Sequence, residues 1–165
     1  MVSISKEYYI KKNKKIIFSR LVNENILKTN TIDIKEITTT IDNNIYINKY
    51  KCTLYNNSNN FIEKYLSETV FKCIETIDYN NYNLNYKITS EIPNLYEINI
   101  NQKCVSINND EVNILSDIKI VINIDKLTNK YNFINTLKIM KNTIEKYIQN
   151  KIIESYNLYL KNLLI

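Results

Sequence analysis

Apolar and polar side chains alternate along most of the chain before residue 125. An alternation with a period of two is typical of β-strands that bury only one of their faces. The clearest case is 114–124, where Ile118, Ile120, Ile122 and Ile124 are separated by mostly polar residues. The pattern predicts seven strands, at residues 2–10, 31–41, 45–55, 69–77, 83–91, 95–107 and 114–124.

Helical spacing of apolar residues occurs in three places between and after these strands. Residues 15–28 place apolar side chains one turn apart, and Asn13 stands where a helix N-cap is expected. Residues 57–67 combine a polar beginning with apolar residues spaced like one helical turn. From about 127 to 164 apolar residues recur at every third or fourth position, which predicts one long amphipathic helix.

The order of these elements predicts an α+β fold class. We expect a curved antiparallel sheet of about seven strands that grips the long C-terminal helix, in a single domain spanning 1–165. The physical reason is that a one-sided sheet must bury its apolar face, and one long amphipathic helix can cover it. This order resembles the helix-grip fold of the START-like superfamily, in which sheet and helix enclose a cavity.

Missing residue types exclude several kinds of active site. The chain contains no glycine and no histidine, and its wealth of isoleucine, asparagine and lysine is typical of an AT-rich genome. P-loops, Rossmann fingerprints and GxSxG elbows all need glycine, so none is present. Catalytic triads with histidine and histidine metal ligands are excluded in the same way. We therefore expect no cofactor and no metal.

Because the chain has no glycine, other residues have to form its tight turns. Asn43 and Asn44 are expected to adopt the positive φ angles that glycine usually supplies.

Cys52, Cys73 and Cys104 are far apart and form no CxxC pair, so a zinc site is not expected. All three fall in predicted strands, where small buried side chains are the expected role. One disulfide between two of them is left open.

The net charge of the chain is modest. The formal net charge is +5, with a lysine cluster at 11–15. Such a cluster is most often a solvated turn, and the alternative is contact with phosphate groups of a nucleic acid or a membrane.

The N-terminus lacks a secretory apolar region, and no segment approaches the roughly 18 apolar residues of a membrane span. We expect a soluble or peripheral protein.

Within the START-like superfamily the chain most resembles the PRELI family of intermembrane-space phospholipid transfer proteins. Glu7–Ile10 precedes a turn as in that family, although Tyr8 replaces the family's histidine and the following Pro-Trp is absent. Residues 57–67 match the short helical lid of the family, 77–80 its acidic turn and 131–164 its final helix. The resemblance covers nearly the whole chain in order and spacing, without a specific motif.

The resemblance implies a function, partners and a location. The protein would bind an anionic phospholipid in an apolar cavity between sheet and final helix, and carry it between membranes. Because no bond is made or broken in such transfer, the chain is predicted not to be an enzyme. Membrane contact would be transient, a small twin-CX9C helical protein would be the partner, and nucleic acid would not bind. The implied location is the intermembrane space of a mitochondrion or a related organelle; otherwise it is the cytoplasm.

A bound phosphate needs cations near the mouth of the cavity, because a buried anion without a partner is costly. Lys49 and Lys51 lie two apart on one predicted strand and share a face. Lys138 and Lys141 lie three apart on the final helix and are neighbours. Arg20, the single arginine, lies on the first helix and can make fork-shaped contacts. These five residues are the predicted headgroup ligands, and the alternative is that the lysines face solvent.

Four apolar residues would form the lid: Phe61, Ile62, Tyr65 and Leu66. They suit a segment that contacts a membrane when open and covers the cavity when closed. The alternative is a helix that packs permanently on the core.

Other classes of function also fit the sequence. The chain can be a START-like protein with another hydrophobic cargo, or a virus- or parasite-specific interaction protein without a cavity. It can also be a nucleic-acid binder that uses the lysines of 11–15 together with exposed tyrosines. The carboxylates Glu36, Glu91 and Glu97 form no recognisable catalytic set.

Overall fold

The computed structural model describes residues 1–24, 32–55, 68–91, 95–123 and 134–164. Within these ranges the chain forms seven strands and two helices. The strands are β1 (Val2–Ile10), β2 (Ile32–Asp42), β3 (Ile45–Tyr55), β4 (Glu68–Asp78), β5 (Asn83–Ser90), β6 (Tyr96–Ser106) and β7 (Val112–Ile122), and the helices are α1 (Lys14–Asn23) and α2 (Ile134–Leu164). The predicted insertion at 57–67 lies outside the described ranges, as do residues 25–28 of the first predicted helix.

All of these strands belong to one antiparallel sheet. Their order across the sheet is β1-β7-β6-β5-β4-β3-β2, so β1 and β2 are its edges. From β2 to β7 each strand pairs with the next one in sequence, whereas β1 pairs with β7. The predicted α+β class, an antiparallel sheet with a long C-terminal helix, is confirmed.

The face of the sheet that packs against α2 is called the inner face below. Residues directly opposite each other on antiparallel neighbours share a face, so the pairing places side chains in rows across the sheet. One inner row, from β1 to β5, consists of Ile4, Ile118, Ile100 and Tyr86. Helix α2 adds the buried side chains Ile144, Tyr156 and Leu160 to the same core. Neither helix in the described ranges has both the length and the apolar content needed to cross a membrane.

Helix α1 covers the end of the sheet where β4 turns into β5 and β6 turns into β7. The side-chain oxygen of Asn13 accepts a hydrogen bond from the Lys15 N–H at 2.9 Å, which confirms the predicted N-cap. The Asn13 amide also donates to a carbonyl of the β6–β7 turn at 3.3 Å. Phe18 is buried, and its ring meets those of Tyr79 and Tyr82 edge-on at 5.5 Å between centroids. These contacts attach α1 to the sheet.

In the turns that the structure describes, three residues adopt left-handed backbone conformations. Asn43 and Asn44 have φ angles of 47° and 66°, as expected for the hairpin turn of a chain without glycine. Tyr82 has a φ of 53°, which the sequence did not indicate. That conformation costs a non-glycine residue about 1–2 kcal/mol. The ring of Tyr82 lies against Phe18 and 4.2 Å from the ammonium of Lys14, and these contacts offset the cost.

Candidate functional site

Two of the predicted headgroup ligands lie on the side of the sheet away from α2, called the outer face below. Lys49 pairs with Ile74 and Lys51 pairs with Lys72, whereas the intervening Tyr50 pairs with buried Cys73. The two lysines share a face, as predicted. Placing them in a cavity between sheet and helix was wrong, because strand alternation turns them away from α2. The Lys51 ammonium instead lies 3.3 Å from the carboxylate of Glu91, a surface ion pair.

The other predicted site residues do not gather into one cluster in the described part of the chain. Arg20 is partly buried on α1, and its carbonyl oxygen accepts the N–H of Glu24 at 2.8 Å, which helps to end the helix. Lys141 is partly buried on α2. The side chain of Lys138 lies outside the described residues, as do the four lid residues Phe61, Ile62, Tyr65 and Leu66.

A buried carboxylate stands on the inner face instead. Glu75 of β4 is only 1% exposed and lies directly opposite Asn48 of β3 and Tyr86 of β5. Its Oε2 atom accepts hydrogen bonds from the Tyr50 hydroxyl at 2.5 Å and from the Asn48 amide at 2.8 Å. These four residues, Glu75, Asn48, Tyr50 and Tyr86, are called the Glu75 cluster below.

The tyrosines of the Glu75 cluster remain protonated at neutral pH. Burial, and then the hydrogen bond to Glu75, raises the pKa of Tyr50 above its usual value. Burial and the nearby Glu75 carboxylate likewise raise the pKa of Tyr86, which is 1% exposed. The Tyr86 hydroxyl lies beside the Glu75 carboxyl group but makes no hydrogen bond of regular geometry with any described residue. The cluster therefore combines a carboxylate that accepts hydrogen bonds with a buried hydroxyl that is ready to donate one.

Apolar side chains surround the Glu75 cluster on the inner face. The neighbouring inner positions of β4, β5 and β6 hold Phe71, Cys73, Ile77, Leu84, Ile98 and Ile100, all buried. Helix α2 reaches this region through Tyr159, whose pKa is raised by burial and by nearby groups that include Glu75. A molecule bound here would contact mostly hydrocarbon, with one polar point at the cluster.

A second set of polar side chains on the inner face fixes α2 to the sheet. The Tyr156 hydroxyl accepts a hydrogen bond from the amide of Gln102 at 2.7 Å and shares another with the Ser116 hydroxyl. Close by, the ammonium of Lys6 donates to the side-chain oxygen of Asn157. These bonds join α2 to β1, β6 and β7, so their role is to position the helix.

The outer face holds an open cavity of about 390 Å³. It runs across β1 and β4 to β7, and its polar lining includes Asn85, Asn99, Asn101 and Lys119. Because α2 packs on the opposite face, this space is not the cavity predicted between sheet and helix. Within the described ranges, no three thiols or carboxylates come close enough together to hold a metal ion.

The comparisons with known proteins show the fold. No protein-family model matches the sequence, and no curated protein sequence matches it. A structure from Thermus thermophilus aligns with a TM-score of 0.56 and 8% identity, over 99% of this chain and 97% of that one. The Zhui aromatase/cyclase of Streptomyces sp. R1128 aligns with a TM-score of 0.56 and 8% identity, over 98% and 93%. The helix-grip fold is thereby confirmed.

A third structure adds a difference in length. The di-domain ARO/CYC protein BexL of the BE-7585A biosynthetic pathway aligns with a TM-score of 0.59 and 9% identity. The alignment covers 98% of this chain but only 48% of that one, so this chain spans about half of the di-domain protein. At identities of 8–9% these likenesses show the fold, and membership of the PRELI family stays a prediction.

The same structures correct the prediction that the chain is not an enzyme. That prediction followed from topology, through the resemblance to lipid carriers. The topology is shared with aromatase/cyclases, which are enzymes. The prediction is therefore wrong, because a helix-grip sheet and helix can hold catalytic groups as well as cargo.

Sequence reasoning missed the Glu75 cluster, although one signal pointed to it. In β4 the buried positions alternate as Phe71, Cys73, Glu75 and Ile77, so a carboxylate occupies an apolar place in the pattern. A charged residue at such a position is rarely buried without a partner or a function. The partners Tyr50 and Asn48 became visible only through the pairing of β3 with β4.

The three cysteines are free and buried, which agrees with their expected role as small buried side chains. Burial raises the pKa of the Cys52 thiol to about 11 and that of Cys104 to about 12, and it raises the pKa of Cys73 as well. We expect the folded protein to be inert towards a disulfide reagent such as DTNB at pH 8, because buried, protonated thiols are poor nucleophiles. Denaturation should release all three thiols. Rapid reaction of the folded protein would contradict the buried placement.

These shifts also predict how stability depends on pH. The thiol of Cys52 ionises near pH 9.0 in the unfolded chain and near pH 11 in the fold. A pKa raised by folding means that the contribution is complete below pH 9 and is lost as the pH rises towards 11. Tyr156, shifted by burial from 10.0 to about 12, extends the loss to higher pH. Urea midpoints measured from pH 7 to 11 should fall above pH 9, and a flat profile would rule out the shifts.

Proposed function

We propose that the chain binds a small, predominantly apolar molecule between the inner face of the sheet and α2, with the molecule's polar group at the Glu75 cluster. The observation that carries the proposal is the Tyr86 hydroxyl, which is buried beside Glu75 without a hydrogen bond of regular geometry to any described residue. A buried polar group left without a partner costs about 1–3 kcal/mol. A ligand that bonds to this hydroxyl recovers that free energy, and the surrounding apolar side chains supply the rest of the affinity.

Phospholipid transfer is the second candidate, and one feature of the edge strand favours it. Ile37 and Ile41 of β2 pair with Tyr50 and Tyr46 and so belong to the inner face, yet they are 61% and 63% exposed. The apolar inner surface thus continues to the edge of the sheet, where acyl chains could enter at a gain of roughly 0.8 kcal/mol per buried CH₂. Transient membrane contact and a twin-CX9C partner belong to this second candidate.

The two candidates are tested by finding what the protein carries and moves. Purified protein would be examined by native mass spectrometry, and transfer of a labelled phospholipid between two liposome populations would be measured. N-phenyl-1-naphthylamine, a neutral fluorescent probe, would be titrated in parallel. Saturable binding of one probe molecule without lipid transfer supports small-molecule binding, and a bound phospholipid with transfer supports the second candidate. A protein that binds neither probe nor lipid overturns both.

A further inference from the structure

Polar side chains on the outer face form a groove that the proposed function does not use. Two neighbouring rows of residues line the open cavity of this face. The first row, from β4 to β7, consists of Thr76, Asn85, Asn101 and Asp117. The second row, from β5 to β1, consists of Lys87, Asn99, Lys119 and Ser3. The cavity between the two rows is called the outer groove below.

The outer groove is elongated across the sheet. Its lining comes from five neighbouring strands, β4 to β7 and β1. With about 4.8 Å between neighbouring strands, it is about 19 Å long. Its volume of about 390 Å³ falls within the usual range of ligand sites. These dimensions suit an extended chain of small polar units.

Two amides at the centre of the outer groove can both donate and accept hydrogen bonds. Asn85 and Asn101 lie directly opposite each other, yet their side chains bond neither to each other nor to another described residue. An amide has two N–H donors and one accepting oxygen, so each of these side chains can bond to two or more hydroxyl groups of a ligand.

The charges of the outer groove balance, so they do not select an anion. Lys87 and Lys119 supply two cations, and Asp117 lies in the same lining. The carboxylate of Glu97, on the same face, lies 3.4 Å from the ammonium of Lys87. A phosphate or sulfate group would therefore meet negative as well as positive charge. Hydroxyl groups suit this set, because they can accept from the ammonium groups and donate to Asp117.

We propose that the outer groove binds a neutral oligosaccharide in an extended conformation. The site lies on the opposite face from the Glu75 cluster and does not depend on the proposed function. A peptide fits less well, because the strands β4 to β7 already pair on both sides and leave no edge to which a further strand could be added. The groove is open to water, which competes for its hydrogen bonds, so the expected dissociation constant is in the millimolar range.

Titrations followed by two-dimensional NMR test the proposal on the isotope-labelled full chain. Cellotetraose and chitotetraose serve as neutral probes, a heparin tetrasaccharide as the anionic probe and tetraglycine as the peptide probe. We expect a neutral probe to shift the side-chain amide signals of Asn85 and Asn101 until they saturate, and the other two probes to have little effect. Glucose should bind severalfold more weakly than cellotetraose, because it fills only part of the groove.

A double variant, Asn85→Val with Asn101→Val, removes both amides. Valine forms strands more readily than asparagine, so the variant should fold at least as well as the original chain. Its dissociation constant for the neutral probes, measured from the backbone signals of Lys87 and Lys119, should be about tenfold higher. Asn113→Val is the matched control, since Asn113 lies on the outer face of β7 but outside the lining of the groove. It should leave the affinities unchanged.

Four results would overturn the proposal. The first is that neither neutral probe produces saturable shifts. The second is that the double variant binds as tightly as the original chain, which would place the sugar elsewhere. Tighter binding of the heparin tetrasaccharide would assign the groove to polyanions, and an equal response to tetraglycine would assign it to peptides. All of these results leave the proposed binding on the inner face untouched.

Discussion

Replacing Phe18 by alanine is expected to lower the free energy of unfolding by about 3–5 kcal/mol, the usual cost of removing a buried aromatic ring. Phe18 is buried where α1 meets the β4–β5 turn, and its ring contacts those of Tyr79 and Tyr82. The loss should be large because the cavity lies between a helix and a turn whose Tyr82 already has an unfavourable backbone conformation. Urea denaturation followed by far-UV circular dichroism measures the change.

The control for this substitution is Ile16→Ala on the same helix. Ile16 is 54% exposed, so its truncation should change the free energy of unfolding by about 0.5 kcal/mol or less. If Phe18→Ala were as mild as Ile16→Ala, then α1 would not be packed on the sheet as described.

Replacing Tyr156 by phenylalanine is expected to cost about 1–3 kcal/mol. The substitution keeps the ring but removes the oxygen that joins α2 to the sheet through Gln102 and Ser116. Both of these partners are buried, so each loses a hydrogen bond that water cannot replace. Equilibrium unfolding in urea gives the change in stability.

Tyr9→Phe is the matched control for Tyr156→Phe. The Tyr9 hydroxyl also donates a hydrogen bond, to Glu7 at 3.2 Å, but the residue is exposed on an edge strand. Its removal should change the stability by about 0.5 kcal/mol or less. Similar effects of the two substitutions would mean that the polar group around Tyr156 does not hold the helix in place.

The strands were predictable because each follows one physical rule. A sheet that buries one face needs apolar side chains at every second position, and β7 obeys this rule at Ile114, Ile118, Ile120 and Ile122. The N-cap at Asn13 was equally predictable, because its side-chain oxygen accepts a hydrogen bond from a backbone N–H only two residues further along the chain. Local rules of this kind can be read directly from the sequence.

The site was less predictable because it depends on pairing between strands. In β3 both alternating sets contain apolar residues, with Ile45 and Ile47 in one set and Tyr46 and Tyr50 in the other. The sequence alone therefore does not decide which of the two faces of β3 is the inner one, and the prediction placed the two lysines of this strand on the wrong face. Only the register with β4, whose buried face is clear, turns Tyr50 and Asn48 towards Glu75.

Function was harder still to infer than the faces of the strands. The topology led to lipid transfer and to the exclusion of catalysis, yet the same topology occurs in aromatase/cyclases. A fold fixes where a space between sheet and helix can lie, whereas the few polar groups that face it decide what happens there. In the function proposed above, those groups are the carboxyl group of Glu75 and its tyrosine neighbours.

The pairing of the first strand with the last has a consequence for synthesis on the ribosome. Strands β2 to β6 can pair in the order in which they leave the exit tunnel, because each meets its sequence neighbour. β1 emerges first but has to wait for β7, which lies near the far end of the sheet-forming sequence. Such late closure slows folding and prolongs the exposure of an unpaired edge. A nascent chain that pauses before residue 112 would therefore expose the unpaired strand β1 and the open edge of β6, in addition to the edge strand β2, to chaperones or to another nascent chain.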